Sequence, residues 1–178
     1  MKILVAENLR KIKKAVPFVE SKIKIKIGFS GNRIIIKGEE VNEYLADKIL
    51  RAVDFGFEIE DALLLKNSDY ILEFIDIKGH TRRKNLKDVR ARLIGTKGKA
   101  KNAIQELTGA IIVISDNQVG VIVGSDHLDA VIQGIILLVQ GSKHGNVFSY
   151  LEKQNAEMRK YDSDDLGLKG KFGEYVEE

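Results

Sequence analysis

The stretch from Leu86 to Leu107, LKDVRARLIGTKGKAKNAIQEL, allows few architectures. Leu86, Val89 and Leu93 fall on one face of a helix before Gly95-Thr96-Lys97-Gly98, and Ala100, Ala103, Ile104 and Leu107 share a face of a second helix after it. The four residues between them make a tight turn bounded by glycines, which let another backbone come close. The second helix then opens with unpaired N–H groups and the positive end of its dipole. Such a corner attracts anions. The charge agrees: from Lys78 to Lys101 the chain carries Lys78, Arg82, Arg83, Lys84, Lys87, Arg90, Arg92, Lys97, Lys99 and Lys101 against one acid, Asp88. The anion this suggests is a phosphate backbone.

The segments on either side narrow the reading. Tyr70–Ile77 reads as a strand in front of the helices, Ala110 to Ser115 as a β-branched strand, Asp116-Asn117 as a turn, and Val119 to Val123 as another strand. Gly124-Ser125-Asp126 leads from there into a long apolar helix ending at Gly141. The order strand, helix, GxxG, helix, strand, strand, helix resembles a type I KH domain, and Leu93-Ile94-Gly95-Thr96-Lys97-Gly98-Lys99 with Ile104 resembles that family's hydrophobic-GxxG signature. In KH domains this loop clamps the backbone of about four unpaired nucleotides. Gly167-Leu168-Lys169-Gly170 has the same spacing without flanking helices or strands and is read as tail.

The first half follows a nearly parallel course: a strand at Lys2–Val5, a basic helix around Leu9, Ile12 and Val16 ending near Pro17, and a strand at Lys22–Phe29. In that strand Ile23, Ile25, Ile27 and Phe29 alternate with lysines. A turn at Ser30-Gly31-Asn32, a strand at Arg33–Lys37 and a helix to about Phe55 follow, the helix with Val41, Tyr44, Leu45, Ala52 and Val53 inward. Ile36-Lys37-Gly38 lines up with Ile122-Val123-Gly124, so the halves read as pseudo-repeats. The interval between Val5 and Lys22 is too short for two helices and a GxxG loop.

The expected fold is therefore α+β: two tandem type I KH-like domains, each a three-stranded antiparallel sheet with helices on one face, the first degenerate and lacking GxxG. The expected boundaries are 1–56 for the degenerate domain, 57–69 for a linker, 70–141 for the KH domain with its GxxG loop, 142–160 for a C-terminal helix and 161–178 for a disordered acidic tail. The helix from Leu128 to Gln140 is apolar nearly all round, which predicts a fixed interface with the first domain. The tail holds a net charge of −4 within a chain total of +3, leaving +7 on residues 1–160.

The tandem order and the ending His144-Gly145, Val147, Leu151-Glu152 are similar to the archaeal tandem-KH proteins related to the small-subunit ribosome assembly factor called the partner of Nob. This resemblance, strongest from Phe55 to Lys160, implies single-stranded RNA binding near the 3′ end of small-subunit ribosomal RNA. It also implies partnership with the endonuclease that trims that end and, as a further expectation, contact with the alpha subunit of translation initiation factor two. The RNA-binding residues expected are Ile94, Gly95, Thr96, Lys97, Gly98, Lys99 and Lys101, with Arg90 and Arg92 on the preceding helix. The amides of Thr96-Lys97-Gly98 would hold phosphate, Ile94 would wall the groove, and the Ile111–Ile114 strand would floor it.

Other classes fit less well. With no cysteine and three scattered histidines, thiolate and histidine metal sites are not expected, and no cofactor is. A P-loop would need glycine where Leu93 stands and Ser or Thr where Ala100 stands, and no Rossmann glycine pattern occurs, so an enzyme is not expected. Ser125-Asp126-His127 reads as a helix start rather than a triad, whose members converge from separate elements. Without a membrane-length apolar run or a signal-peptide core, the chain is expected in the cytoplasm. The alternative is a protein–protein adaptor that docks on an initiation or assembly factor, with nucleic acid incidental.

Overall fold

Asn8 opens the first helix by accepting from the Lys11 amide, and Ile12, Ala15, Val16 and Val19 give that helix a buried stripe. The computed structural model describes the backbone of residues 1–163 and the side chains of residues 1–158. In its first unit β1 (Lys2–Val5), α1 (Leu9–Lys22), β2 (Ile25–Ser30), β3 (Arg33–Gly38) and α2 (Glu40–Phe55) follow one another, and the antiparallel sheet has the order β1-β3-β2. A short α3 (Ile59–Ala62) and a 3₁₀ turn (Leu63–Lys66) lead to the second unit. That unit has β4 (Tyr70–Asp76), α4 (Ile77–His80), α5 (Leu86–Ile94), a 3₁₀ turn (Thr96–Gly98), α6 (Lys99–Thr108), β5 (Ile111–Ser115) and β6 (Gln118–Gly124). A 3₁₀ turn (Ser125–His127), α7 (Leu128–Gln140) and α8 (His144–Ser163) complete it. Its sheet order, β4-β6-β5, repeats the first.

Helix α1 does not end near Pro17 but runs on to Lys22. The proline lies on the exposed side, so the carbonyl it orphans faces water, and the burial of Val19 and Ile23 carries the helix past it. Strand β2 accordingly starts at Ile25 rather than Lys22. Helix α2 departs from expectation in its first half: Val41 is 76% exposed and Tyr44 52%, while Glu43, Ala46, Asp47, Ile49 and Leu50 face inward with the expected Ala52 and Val53. Glu43 is tolerated there because it accepts from the Gly38 amide at 3.0 Å and pairs with the Met1 amine at 2.7 Å. Tyr44 lies under the ammonium groups of Lys2 and Lys48. No side chain of Ser125–His127 caps α7. Helix α8 extends past residue 160, and the expected disorder of the tail and the Gly167–Gly170 reading concern residues beyond those described.

Strand pairing also shifts the repeat alignment by one residue. Val5 pairs with Arg33 and Ala6 donates to Asn32, just as Asp76 pairs with Gln118 and Ile77 donates to Asn117. Ile36 therefore matches Val121, not Ile122. A one-residue slip exchanges the two faces of a strand. Ile36 and Val121 face their own helices, whereas Ile122 turns to the opposite face and joins the first unit's core.

That opposite face forms the interface between units. Ile122, with Tyr70, Leu72, Ile111 and Val113, packs against the core that includes Phe57, Ala62 and Leu65. Val119 to Val123 are all buried, so β6 is covered on both sides. The expected fixed interface exists, but on the sheet rather than on α7, whose surroundings are α4, α5 and α8. Among the described residues no helix is long and apolar enough to cross a membrane.

Two outcomes follow from this packing. A Cβ on Gly120 would stand 2.6 Å from Phe55 Cε1 and 2.8 Å from Phe57 Cε2. Gly120→Ala should therefore lower the unfolding free energy by about 1–3 kcal/mol in urea titration, and an unchanged midpoint would contradict the contact. The second concerns Glu43. Its hydrogen bond from the Met1 amine, then that from Gly38, holds its carboxyl below the ordinary value of 4.5. A depressed folded value stabilises the fold at pH above the unfolded value, and this contribution is lost as pH falls through the folded one. Melting temperature measured against pH should consequently fall more steeply on acidification for the wild type than for Glu43→Gln, and parallel curves would contradict the linkage.

Candidate nucleic-acid interface

The corner between α5 and α6 is built from incompatible demands on the backbone that glycine resolves. Asn85 caps α5 by accepting from the Lys87 amide, and Val89 and Leu93 anchor the helix in the core. Gly95 then takes φ 74° and ψ 172°, a conformation open essentially to glycine, and a Cβ there would lie 2.7 Å from both the nitrogen and Cβ of Ala100. Lys97 follows at φ 55°, ψ 31°, and among the described residues it alone has positive φ without being glycine. Gly98 at φ 78° returns the chain to α6. Ala100 and Ile104 bury the inner face of that helix.

The turn's amides are partly committed. Gly98 N–H donates to Gly95 O at 3.1 Å and Lys99 N–H donates to Thr96 O. The expected use of the Gly98 amide on phosphate is thus corrected: it closes the turn. Thr96 and Lys97 remain at the exposed tip, beside the first turn of α6. Lys97 and Lys99 are exposed and Lys101 is half-buried; among the described residues none of the three has an ion-pair partner. The arrangement can hold an anion at the tip with lysines on either side.

The structure separates the other expected residues. Ile94, 41% exposed, stands at the end of α5 next to the turn. Arg90 pairs with Asp116 in the β5–β6 turn at 3.1 Å. Arg92 faces away from the groove: its guanidinium donates to the carbonyls of Gly141, at 3.0 Å, and Ser142, and so caps the end of α7. Its expected RNA contact gives way to a structural role. The strand floor is also divided. Ile111 and Val113 point to the first unit, and only Ile112 and Ile114 face the helices. The Ile112 amide is taken by Gln105 Oε1 at 3.0 Å.

A further element stands beside the turn. His144 begins α8, and its Nε2 lies 2.9 Å from Arg92 O. With Phe148, one helical turn on, it faces Gly95, Thr96, Lys99 and Ala100 across a cavity of about 240 Å³. No charge or periodicity signal in the sequence brings α8 to the turn; its i, i+4 aromatic pair is the one cue it offers.

With this geometry in view, the family described as the eukaryotic-type KH domain (KH-domain type I), in its form as the second KH domain of PNO1, matches residues 71–156. Residues 71–156 form a type I KH domain. A KH domain-containing protein of Methanocaldococcus jannaschii is 27% identical over 78% of this chain and 63% of its own length. The pre-rRNA-processing protein pno1 of Aspergillus oryzae is also 27% identical, over 64% of this chain and 45% of its own. The chain thus spans less than two thirds of either relative. Dim2p from Pyrococcus horikoshii superposes with a TM-score of 0.76 at 27% identity, covering 85% of this chain and 98% of that one. A chain in a structure described as an a/eIF2alpha–aDim2p–rRNA complex from the same organism gives 0.78 at 25% identity, covering 88% and 94%. Over most of its length, then, the chain is similar to PNO1 and Dim2 proteins.

The two glycines of the KH turn should not respond alike. Gly95→Ala combines a glycine-only conformation with a clash against backbone and should cost about 1–3 kcal/mol, whereas Gly98→Asn, in a left-handed conformation asparagine tolerates, should cost less. Thermal melts of the two variants check this, and equal losses would contradict the asymmetry.

Proposed function

We propose that the chain binds single-stranded RNA through the KH turn of its second unit and acts in small ribosomal subunit assembly, at the 3′ end of small-subunit ribosomal RNA. The observation that carries this reading is the exposed Thr96-Lys97 tip, held between two helices and flanked by Lys99 and Lys101. A phosphate at the tip meets amides and ammonium groups together. Ile94 and Ile114 offer aliphatic surface to the bases, and the path between helix and strand suits about four nucleotides of single strand better than a duplex. The names of the relatives support the setting: one is a pre-rRNA-processing protein, and another structure joins Dim2p with rRNA and a/eIF2alpha. On this reading the chain positions RNA and performs no catalysis of its own. The endonuclease that trims the rRNA end and the initiation factor alpha subunit are its proposed protein partners.

The first unit is proposed to be degenerate as a nucleotide clamp. A single helix, α1, joins β1 to β2, where the second unit places α4, α5, the turn and α6. A GxxG spacing does occur there, Gly28 to Gly31, but on β2 and its hairpin turn, with no helix to aim at phosphate. One observation favours the adaptor reading for this unit. The sheet face that matches the second unit's buried one is open, with Ile3 53% and Val5 63% exposed and Lys26, Arg33 and Lys37 around them. A protein partner seated on that face is compatible with RNA on the other unit.

The test is fluorescence anisotropy with a short single strand copied from the rRNA 3′ end and a shuffled control, comparing wild type with Thr96→Asp, Lys97→Asp. Aspartate tolerates the left-handed conformation at position 97, so the fold should persist by circular dichroism. Repulsion replacing attraction should weaken binding on the order of tenfold or more at low salt, with a smaller loss at high salt. Equal binding by the two proteins, or none by the wild type, would leave the adaptor reading in place of this one.

A further inference from the structure

The cavity between the KH turn and α8 shares residues with the turn but none with the aliphatic groove. Its walls are Gly95, Thr96, Lys99 and Ala100 on one side and His144 and Phe148 on the other. The two rings are 6.1 Å apart, centroid to centroid, and inclined by 46°. Phe148 packs its inner part on the second unit's core and leaves the rest to the cavity. His144 is held by Arg92 O, on the helix whose Arg92 side chain is in turn fixed to the carbonyls that precede α8. The aromatic wall is therefore set before any ligand arrives.

We infer that this cavity is a nucleobase subsite that adds one base beyond the KH groove. The inference rests on the RNA reading of the turn and extends it to α8. Three features select a base. Gly95 and Thr96 belong to both turn and cavity, so a strand whose phosphate sits at the tip has its neighbouring nucleoside at the cavity mouth. The aromatic ring of Phe148 supplies apolar surface to a base face, as stacking requires. Lys99 and Thr96 stand on the same wall, and an ammonium and a hydroxyl there can meet phosphate or a polar base edge. An apolar side chain from a protein would use the ring but gain nothing from Lys99. Because rings accept any base, the subsite adds affinity and strand length rather than sequence preference.

The chain has no tryptophan, so Phe148→Trp makes a sole reporter within the cavity. It would be titrated with a single-stranded RNA of about four nucleotides and with one longer by about two at either end. Phe148→Leu, which keeps apolar packing and removes the ring, would be compared with wild type by anisotropy on the same RNAs. The expected result is tryptophan quenching by a longer RNA and not by the short one, with Phe148→Leu weaker for that longer RNA by on the order of tenfold and unchanged for the short one. If the RNAs bind but tryptophan emission does not respond and Phe148→Leu keeps full affinity, the subsite is overturned while the turn's role stands. If wild type binds none of the RNAs, both fail together.

Discussion

From Val119 to Val123 strand β6 has apolar side chains on both faces and no access to water on either, and this constraint ties the two halves of the molecule into one body. Its odd-numbered residues Val119, Val121 and Val123 close the core beneath α5 and α7, while Ile122 is built into the core of the first unit. A sheet with one dry face could stand as an independent domain. This one cannot, because exposing Tyr70, Leu72, Ile111, Val113 and Ile122 together would put a broad apolar patch in water at roughly 25 cal/mol per Å². At Gly120 the absence of a side chain admits Phe55 and Phe57 to the strand. The first unit thus gives the second its far wall, whatever else it binds.

That wall leaves the helical side of the second sheet to carry the candidate site. Helices α5 and α6 are each anchored by buried side chains, Val89 and Leu93 in one and Ala100 and Ile104 in the other, so the turn between them has little freedom. Its strain is local, at Lys97, a lysine in a left-handed conformation. Arg92 extends the rigid region by holding the end of α7 and the start of α8 against α5. Arg90 reaches the exposed carboxylate of Asp116 in the β5–β6 turn, a surface pair that adds little stability. Arg92, which looks like free positive charge in sequence, is spent on holding the frame, and Lys97 and Lys99 stand exposed at the tip.

The legible parts of the site were those written in contiguous residues. Gly95, Thr96, Lys97 and Gly98 lie within four positions, and the helices on either side announce themselves by periodicity. The parts that misled depended on which way a side chain turns. Sequence points Arg92 to RNA because its charge is visible and its partners, the carbonyls of Gly141 and Ser142, are backbone atoms that carry no sequence signal. The alternation of Ile111–Ile114 was visible, but which of them the first unit would claim was not. Val41 and Tyr44 fell outward because Glu43 found partners in Gly38 and Met1, and a periodicity argument assigns a glutamate to water.

Sequence by itself determined the order of elements, the doubled strand–helix pattern, the GxxG corner and its excess of positive charge. Each of these follows from local conformational preference or from composition within a short window. Tertiary structure decided the rest: the passage of α1 through Pro17, the one-residue offset between the repeats, the placing of the interface on the sheet rather than on α7, and the arrival of His144 and Phe148 beside the turn. All four depend on which surfaces meet across long separations in the chain. Burial free energy gained at such contacts exceeds the small preferences that local sequence expresses, so the contacts settle what the local pattern leaves open.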